Sequence, residues 1–247
     1  MNRDSFHKLF KVPGPVVLPV IHVLDTAQTV ENIRVLVGEG AAGCFLINHD
    51  FGVVEFLPVV REVRAAWPAL WMGLNFLAVT GRDAFPVLGD LAREDCAIDA
   101  YWADEARIDE TEKDPSEAEE IARIRADSGW DGLYFGGTAF KKQRPVAPEH
   151  WQDAASEAVP FMDVVTTSGI ATGQEADHAK IREFRAGIGD HPLALASGIT
   201  VENACAYSDV DAYMVATGIN RDGDFYNIDA ARLAALMKTT RELGANG

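Results

Sequence analysis

The sequence predicts an α/β protein of the (β/α)8 TIM-barrel class, folded as a single domain over 1–247. Three observations carry that expectation. The 247 residues match one barrel, since such domains run to about 250 residues as one unit. Eight apolar runs of strand length alternate with helical stretches at intervals of about 25–35 residues, the pattern of parallel strands joined by crossover helices. Polar and glycine-rich residues fall just after each run, the face where barrel enzymes place their chemistry, and this favours the closed barrel over an open, doubly wound sheet.

Taken in order, residues 1–14 read as an N-terminal extension. Residues 15–23 (PVVLPVIHV) are the first apolar run, and Leu24-Asp25-Thr26 supplies the cap of a helix through 27–38. The second unit is a strand at 43–48 (GCFLIN), the polar stretch His49-Asp50-Phe51-Gly52, and a helix over 54–66 that stops before Pro68. The third is 70–74 with Asn75, then a helix over 82–94 with Pro86 near its first turn. Residues 97–102 form a less apolar fourth strand ending in Ala103-Asp104-Glu105. The polar stretch 106–114 leads through Pro115-Ser116 into a helix over 117–128, whose early acids suit the helix dipole. A fifth strand at 131–135 exits through Gly136-Gly137 toward Lys141, Lys142 and Arg144, with a helix at 148–158. A sixth at 161–167 exits through Ser168-Gly169-Ile170-Ala171-Thr172-Gly173, with a helix at 176–186. Strands seven (192–196) and eight (212–216) end in Ser197-Gly198 and Thr217-Gly218, with Thr200-Val201-Glu202-Asn203 between them reading as a helix start. Residues 228–243 form a closing helix.

The formal charge of −16 and a pI near 4.7 set up a field that repels polyanions, so no nucleic-acid partner is expected. A small phosphorylated ligand stays compatible, because N–H donors and a few cations act locally while distant charges are screened beyond about 8–10 Å. No apolar run approaches the roughly 18 residues of a membrane span, and the first residues carry scattered charges without an apolar signal core. Cys44, Cys96 and Cys205 are odd in number and lack metal-ligand spacing; they read as buried thiols in a reducing cytoplasm.

The paired turns after strands seven and eight are the strongest functional signal. Backbone N–H groups at glycine turns point at an anion with no side chain in the way, and barrels commonly build a phosphate site from these two loops. Ser197, Gly198, Thr200, Thr217 and Gly218 are therefore the expected phosphate ligands; the bland reading is small residues that let the loops turn tightly.

From Asp163 onward the chain carries three patterned turns: Thr167-Ser168-Gly169 with Ala171-Thr172-Gly173, then Ala196-Ser197-Gly198-Ile199-Thr200 with Glu202-Asn203, then Gly218 with Asp222-Gly223 and Asn227-Ile228-Asp229. In these the chain resembles the BtpA family. Weaker echoes are Pro19–His22, Asn48–Gly52 and Gly73-Leu74-Asn75, and the chain departs in having Asn48-His49 where the family tends to Glu-Asn, and Phe76-Leu77-Ala78-Val79 where it carries a polar stretch. The resemblance implies a TIM-barrel fold and enzymes of sugar or nucleoside phosphate metabolism, while the family name comes from a role in photosystem I biogenesis.

Among groups for chemistry, Asp104 is the best-placed carboxylate, immediately past strand four, where general acid–base work is commonly done. The bland reading of Asp104 is a helix cap or loop salt bridge; Asp25, Asp50 and Glu105 are the other acids, Glu105 sharing its position. His49 is the better-set imidazole, with His22 reading as a core residue. Lys141 offers charge neutralisation or a nucleophilic amine. Asn75, Ser168, Thr172 and Gly173 are expected to touch the substrate, and Trp102, Tyr134 and Phe51 either stack on it or belong to the core. No cofactor is expected, although Asp104 with Glu105 has the oxygen ligands for a divalent cation such as Mg²⁺. The sequence thus predicts an enzyme acting on a phosphosugar or nucleoside phosphate, with isomerisation, glycosyl or phosphoribosyl transfer and carbon–carbon cleavage equally open. The alternative is a non-catalytic assembly or regulatory factor on the same barrel. A homo-oligomer is expected from the fold class.

Overall fold

All eight apolar runs become strands of one closed, all-parallel barrel, each paired with its sequence neighbour and β8 closing onto β1. The computed structural model describes residues 1–112, 114–141 and 143–245. The strands are β1 Val16–Val23, β2 Gly43–Asn48, β3 Trp71–Asn75, β4 Ala100–Ala103, β5 Leu133–Gly137, β6 Val164–Thr167, β7 Leu193–Leu195 and β8 Ala212–Val215. The helices are α1 Arg3–Phe10, α2 Thr26–Gly38, α3 Val53–Ala66, α4 Gly81–Arg93, α5 Ser116–Ser128, α6 Trp151–Ala158, α7 His178–Ile188 and α8 Ala230–Ala245. Among the described residues no helix is long and apolar enough to cross a membrane.

Strand alternation divides the core in two. Val16, Leu18 and Val20 of β1, Phe45 and Ile47 of β2, Phe135 of β5 and Met214 of β8 fill the barrel interior, while Val17, Ile21 and Val23 join the cluster beneath the helices. Gly73 on β3 makes room for the Phe45 ring, into which any Cβ at that position would run. Asp25 caps α2 by accepting the Gln28 N–H at 2.7 Å, so this acid belongs to the fold.

Four sequence expectations change. The N-terminal extension contains α1, which plugs the lower end of the barrel: Phe6 and Phe10 enter the interior core. Its polar side latches onto buried Asp211 through Arg3 (2.7 Å) and His7 (3.0 Å), with Arg185 completing the cluster at 2.6 Å. Between β7 and β8 the expected helix is a turn followed by one 3-10 turn at Ala204–Tyr207, because the Asn203 side chain bonds Thr200 N–H and Gly198 O and locks the chain into a tight bend. Cys205 is exposed, unlike buried Cys44 and Cys96. Pro86 lies in the second turn of α4 rather than at its start.

Candidate functional site

The loops after β6, β7 and β8 abut at the upper rim. A Cβ on Gly218 would overlap the Ile199 carbonyl oxygen, a Cβ on Gly198 would overlap the Gln174 carbonyl, and Gly173 lies against the Thr217 side chain. Gly198 and Gly173 also adopt φ of +71° and +76°, which favours glycine. Among the described residues the N–H groups of Gly198, Ile199 and Gly218 meet no acceptor, whereas the Thr200 N–H is taken by Asn203 and the Ile219 N–H by Ala216. The two turns therefore present unsatisfied donors side by side.

Beside them the mouth of the barrel opens as a cavity of about 310 Å³. His49, Asp104, Lys141, Thr172, Gly173, Ser197, Gly198, Thr217 and Gly218 all line it, so nine of the expected site residues share one space. Thr200 lines an adjoining recess that shares the Gly173, Gly198 and Gly218 turns and is walled on its far side by Glu202 and Arg232. Arg232, from α8, is held there by Asn220 O (2.9 Å) and Asp222 (2.5 Å). Sequence reasoning had no signal for this cation, which sits on the last helix far from any motif.

Two expected substrate contacts are spent inside the protein. Asn75 does not line the cavity; its Nδ2 donates to Asp104 Oδ1 at 3.1 Å and so aims that carboxylate. Ser168 is buried, with its Oγ accepting from the Lys141 N–H (2.8 Å) and donating to Gly169 O. The Ser197 hydroxyl likewise accepts the Gly169 N–H at 2.9 Å, leaving its backbone as the part that faces the rim. Buried Lys180 ties the same loops together, Nζ donating to Ala139 O and to Ser168 O at 2.9 Å, and burial pulls its pKa down to about 8. The other acids are engaged elsewhere: Asp50 accepts from the Tyr226 hydroxyl, and Glu105 faces Arg107 at 3.4 Å. Of the basic loop, Arg144 pairs with Asp109 and Glu110 away from the mouth, and Lys142 lies outside the described residues. Among the described residues no three His, Cys, Asp or Glu side chains gather as a metal site.

His22, read from sequence as core, also walls the cavity; its place on the inward stripe Val16, Leu18, Val20 was the available signal. Its ring stacks on Phe225 with centroids 3.8 Å apart and meets His49 edge-on at 4.8 Å. Burial, assisted by nearby His49 and Lys141, lowers its pKa to about 4 against the raising effect of the Phe225 carbonyl. The ring is neutral near pH 7. Since Nδ1 lies 2.8 Å from Phe225 O, which can only accept, Nδ1 carries the proton and Nε2 keeps its lone pair. The mouth thus brings together a carboxylate at Asp104, an imidazole at His49, an amine at Lys141 and the neutral ring of His22.

Fold and rim together place the chain in the (β/α)8-barrel class. Tryptophan synthase α subunit from Legionella pneumophila superposes over 100% of both chains with a TM-score of 0.65 at 17% identity. The (S)-3-O-geranylgeranylglyceryl phosphate synthase of Thermoplasma acidophilum, solved with its substrate sn-glycerol-1-phosphate, covers 98% of this chain and 99% of its own at 0.65 and 14%. Phosphoribosyl anthranilate isomerase from Thermus thermophilus covers 92% and 99% at 0.59 and 16%. At such identities the likeness shows the fold alone. The chain matches no family model and no curated protein.

Proposed function

We propose that the protein is an enzyme acting on a small phosphorylated metabolite, a phosphosugar or nucleoside phosphate, with its phosphate held between the Gly198 and Gly218 turns. The observation that carries this reading is the abutment of those turns, with three unaccepted N–H groups and the Arg232 guanidinium around one recess. Thr217 adds a hydroxyl at the same place, while the Thr200 side chain bonds the Glu202 carboxylate at the recess wall. Two of the similar barrels are named for phosphorylated substrates, which fits. The phosphate anchors the ligand, and that binding energy orients its reacting carbons beneath Asp104, His49 and Lys141 for proton transfer. Asn75 positions Asp104, and Ser168 with Lys180 positions the Lys141 loop. Isomerisation, glycosyl transfer and carbon–carbon cleavage all use such a set. The likeness to the BtpA family, expressed in the same three glycine turns, and a homo-oligomeric cytoplasmic state belong to this proposal as well.

The test is titration with inorganic phosphate, followed by amide NMR, in the native chain and in Arg232→Met. Phosphate should shift the Gly198 and Gly218 resonances, and the variant should bind it roughly tenfold more weakly, about 1.4 kcal/mol. Phosphate binding elsewhere, or with undiminished affinity in the variant, removes the reading. A panel of phosphosugars and nucleotides that stabilise the protein but are never turned over would favour the non-catalytic alternative.

A further inference from the structure

The mouth continues sideways into a second compartment of about 240 Å³, on the β3–β5 side of the barrel and across from the glycine turns that follow β7 and β8. Leu77, Asp104 and Lys141 line both spaces, so the carboxylate and the amine stand where the two meet. Gly198 and Gly218 line the mouth and not the side compartment. One wall of the compartment is Leu77-Ala78-Val79, the apolar stretch that follows β3 where a polar one is the pattern of the family this chain resembles. Buried Phe76 belongs to the core, but Leu77 and Val79 are only half-buried and Ala78 is exposed.

This wall is held in place without a ligand. The Leu77 N–H donates to Asn48 Oδ1 at 3.1 Å, the Val79 N–H to Phe76 O at 2.9 Å, and Val79 O accepts from the Tyr101 hydroxyl at 2.8 Å. Ala78 adopts φ of +61° and Arg107, on the β4 loop that lines the same compartment, +60°. Neither is glycine; such conformations cost energy, persist only where the surroundings impose them, and cluster at functional sites. The polar groups around the space are largely engaged already. Gln143 Oε1 accepts the Phe140 N–H at 2.9 Å while Nε2 donates to Asp104 O, and Glu105 faces Arg107 at 3.4 Å. An ion would meet both charge signs there, whereas apolar surface gains by leaving water against Leu77, Ala78 and Val79.

We infer that the side compartment is a second ligand subsite, which takes an uncharged apolar moiety, a ring or short hydrocarbon, while the phosphorylated moiety fills the mouth. Asp104 and Lys141 then face both occupants from their junction. The inference rests on the phosphate reading for what fills the mouth, and adds a second moiety of different chemistry that a bare phosphosugar does not carry.

The experiment follows backbone amides of the intact chain by NMR with three probes: benzyl alcohol, the polyol xylitol and inorganic phosphate. Benzyl alcohol should move the Ala78 and Val79 amides and bind there at least about tenfold more tightly than xylitol. With phosphate saturating, Gly198 and Gly218 should keep their phosphate-shifted positions as benzyl alcohol is added, and its affinity should change by no more than about twofold. Ala78→Asn keeps a residue that accepts positive φ and sets an amide in the apolar wall. That variant should bind benzyl alcohol roughly fivefold more weakly and phosphate within about twofold of the native chain. Equal binding of xylitol, displacement of either probe by the other, benzyl alcohol shifts confined to other amides, or undiminished binding in the variant overturns the inference and leaves the phosphate site standing. Failure of phosphate to move the two glycines overturns the phosphate reading instead. Should Ala78→Asn not fold, the probe comparison and the co-occupancy in the native chain decide the matter.

Discussion

Replacing Gly218 with alanine tests whether two turns that are distant in sequence press against each other. No left-handed φ is required at Gly218, so the added methyl meets no backbone penalty of its own. The obstacle is steric: the new Cβ would overlap the Ile199 carbonyl oxygen, stand 3.1 Å from its carbon and 3.4 Å from Thr200 Cα. A peptide carbonyl cannot swing aside as a flexible side chain does, so the β7 and β8 turns must separate. Overpacking of this kind costs about 1–3 kcal/mol. For a chain of this length each kcal/mol moves Tm by about 2–4 °C, giving a fall of about 2–12 °C. Separation also spreads the unaccepted N–H groups, so inorganic phosphate should bind at least about tenfold more weakly. Gly38→Ala is the companion measurement. A Cβ there meets nothing within 4 Å in the last turn of α2, and the change should stabilise by about 0.5–1 kcal/mol without touching phosphate binding. Calorimetry and phosphate titration on both variants supply the two readouts. Wild-type Tm and affinity in Gly218→Ala would refute the abutment.

The latch at the opposite end carries a pH signature. Burial alone would raise the Asp211 carboxyl, but the hydrogen bond from His7, the Arg185 guanidinium, the Leu193 N–H and Arg3 hold it down at about 2. A depressed carboxylate stabilises above its unfolded pKa of 3.8 and loses that contribution as pH falls toward 2, here about 2 kcal/mol. Urea unfolding should therefore show a gap between wild type and Asp211→Asn that is widest above pH 5 and shrinks by that amount at pH 2; a constant gap would contradict the latch. His22 works with the opposite charge type: its pKa of about 4 lies below the ordinary 6.5, so the unfolded chain takes up the proton first and stability is lost as pH falls from 6.5 to 4, by about 3 kcal/mol. Its ring resonances should stay those of a neutral imidazole, protonated at Nδ1, from pH 8 down to 5, and a midpoint near 6.5 would contradict the buried placement.

The periodic placement of apolar runs determined the barrel. Every strand forms within a few residues of its run, because burial on both faces demands continuous apolar stretches such as LPVIHV and GCFLIN, and a parallel register demands the intervening helices. The glycines of the β6, β7 and β8 turns were legible for a related reason: a chain that must bend with positive φ, or pass another backbone at contact distance, leaves glycine at that position.

Only the tertiary structure decided which polar groups face the ligand and which are consumed by the fold. Ser168 and Ser197 occupy equivalent places after β6 and β7, yet their hydroxyls bond the backbone of adjoining loops, a matter of cross-loop distance that no local pattern records. Asp50, Asp104 and Glu105 look alike along the chain, but Asp104 is the one that Asn75, from the neighbouring strand, orients at the mouth. Arg232 and Trp102 reach the site by closure of the barrel itself, which brings the last helix beside the seventh strand's turn and sets the Trp102 side chain in the cavity wall. Sequence spacing fixes what lies on one face of one element; the contacts between faces come from packing eight of them in a ring.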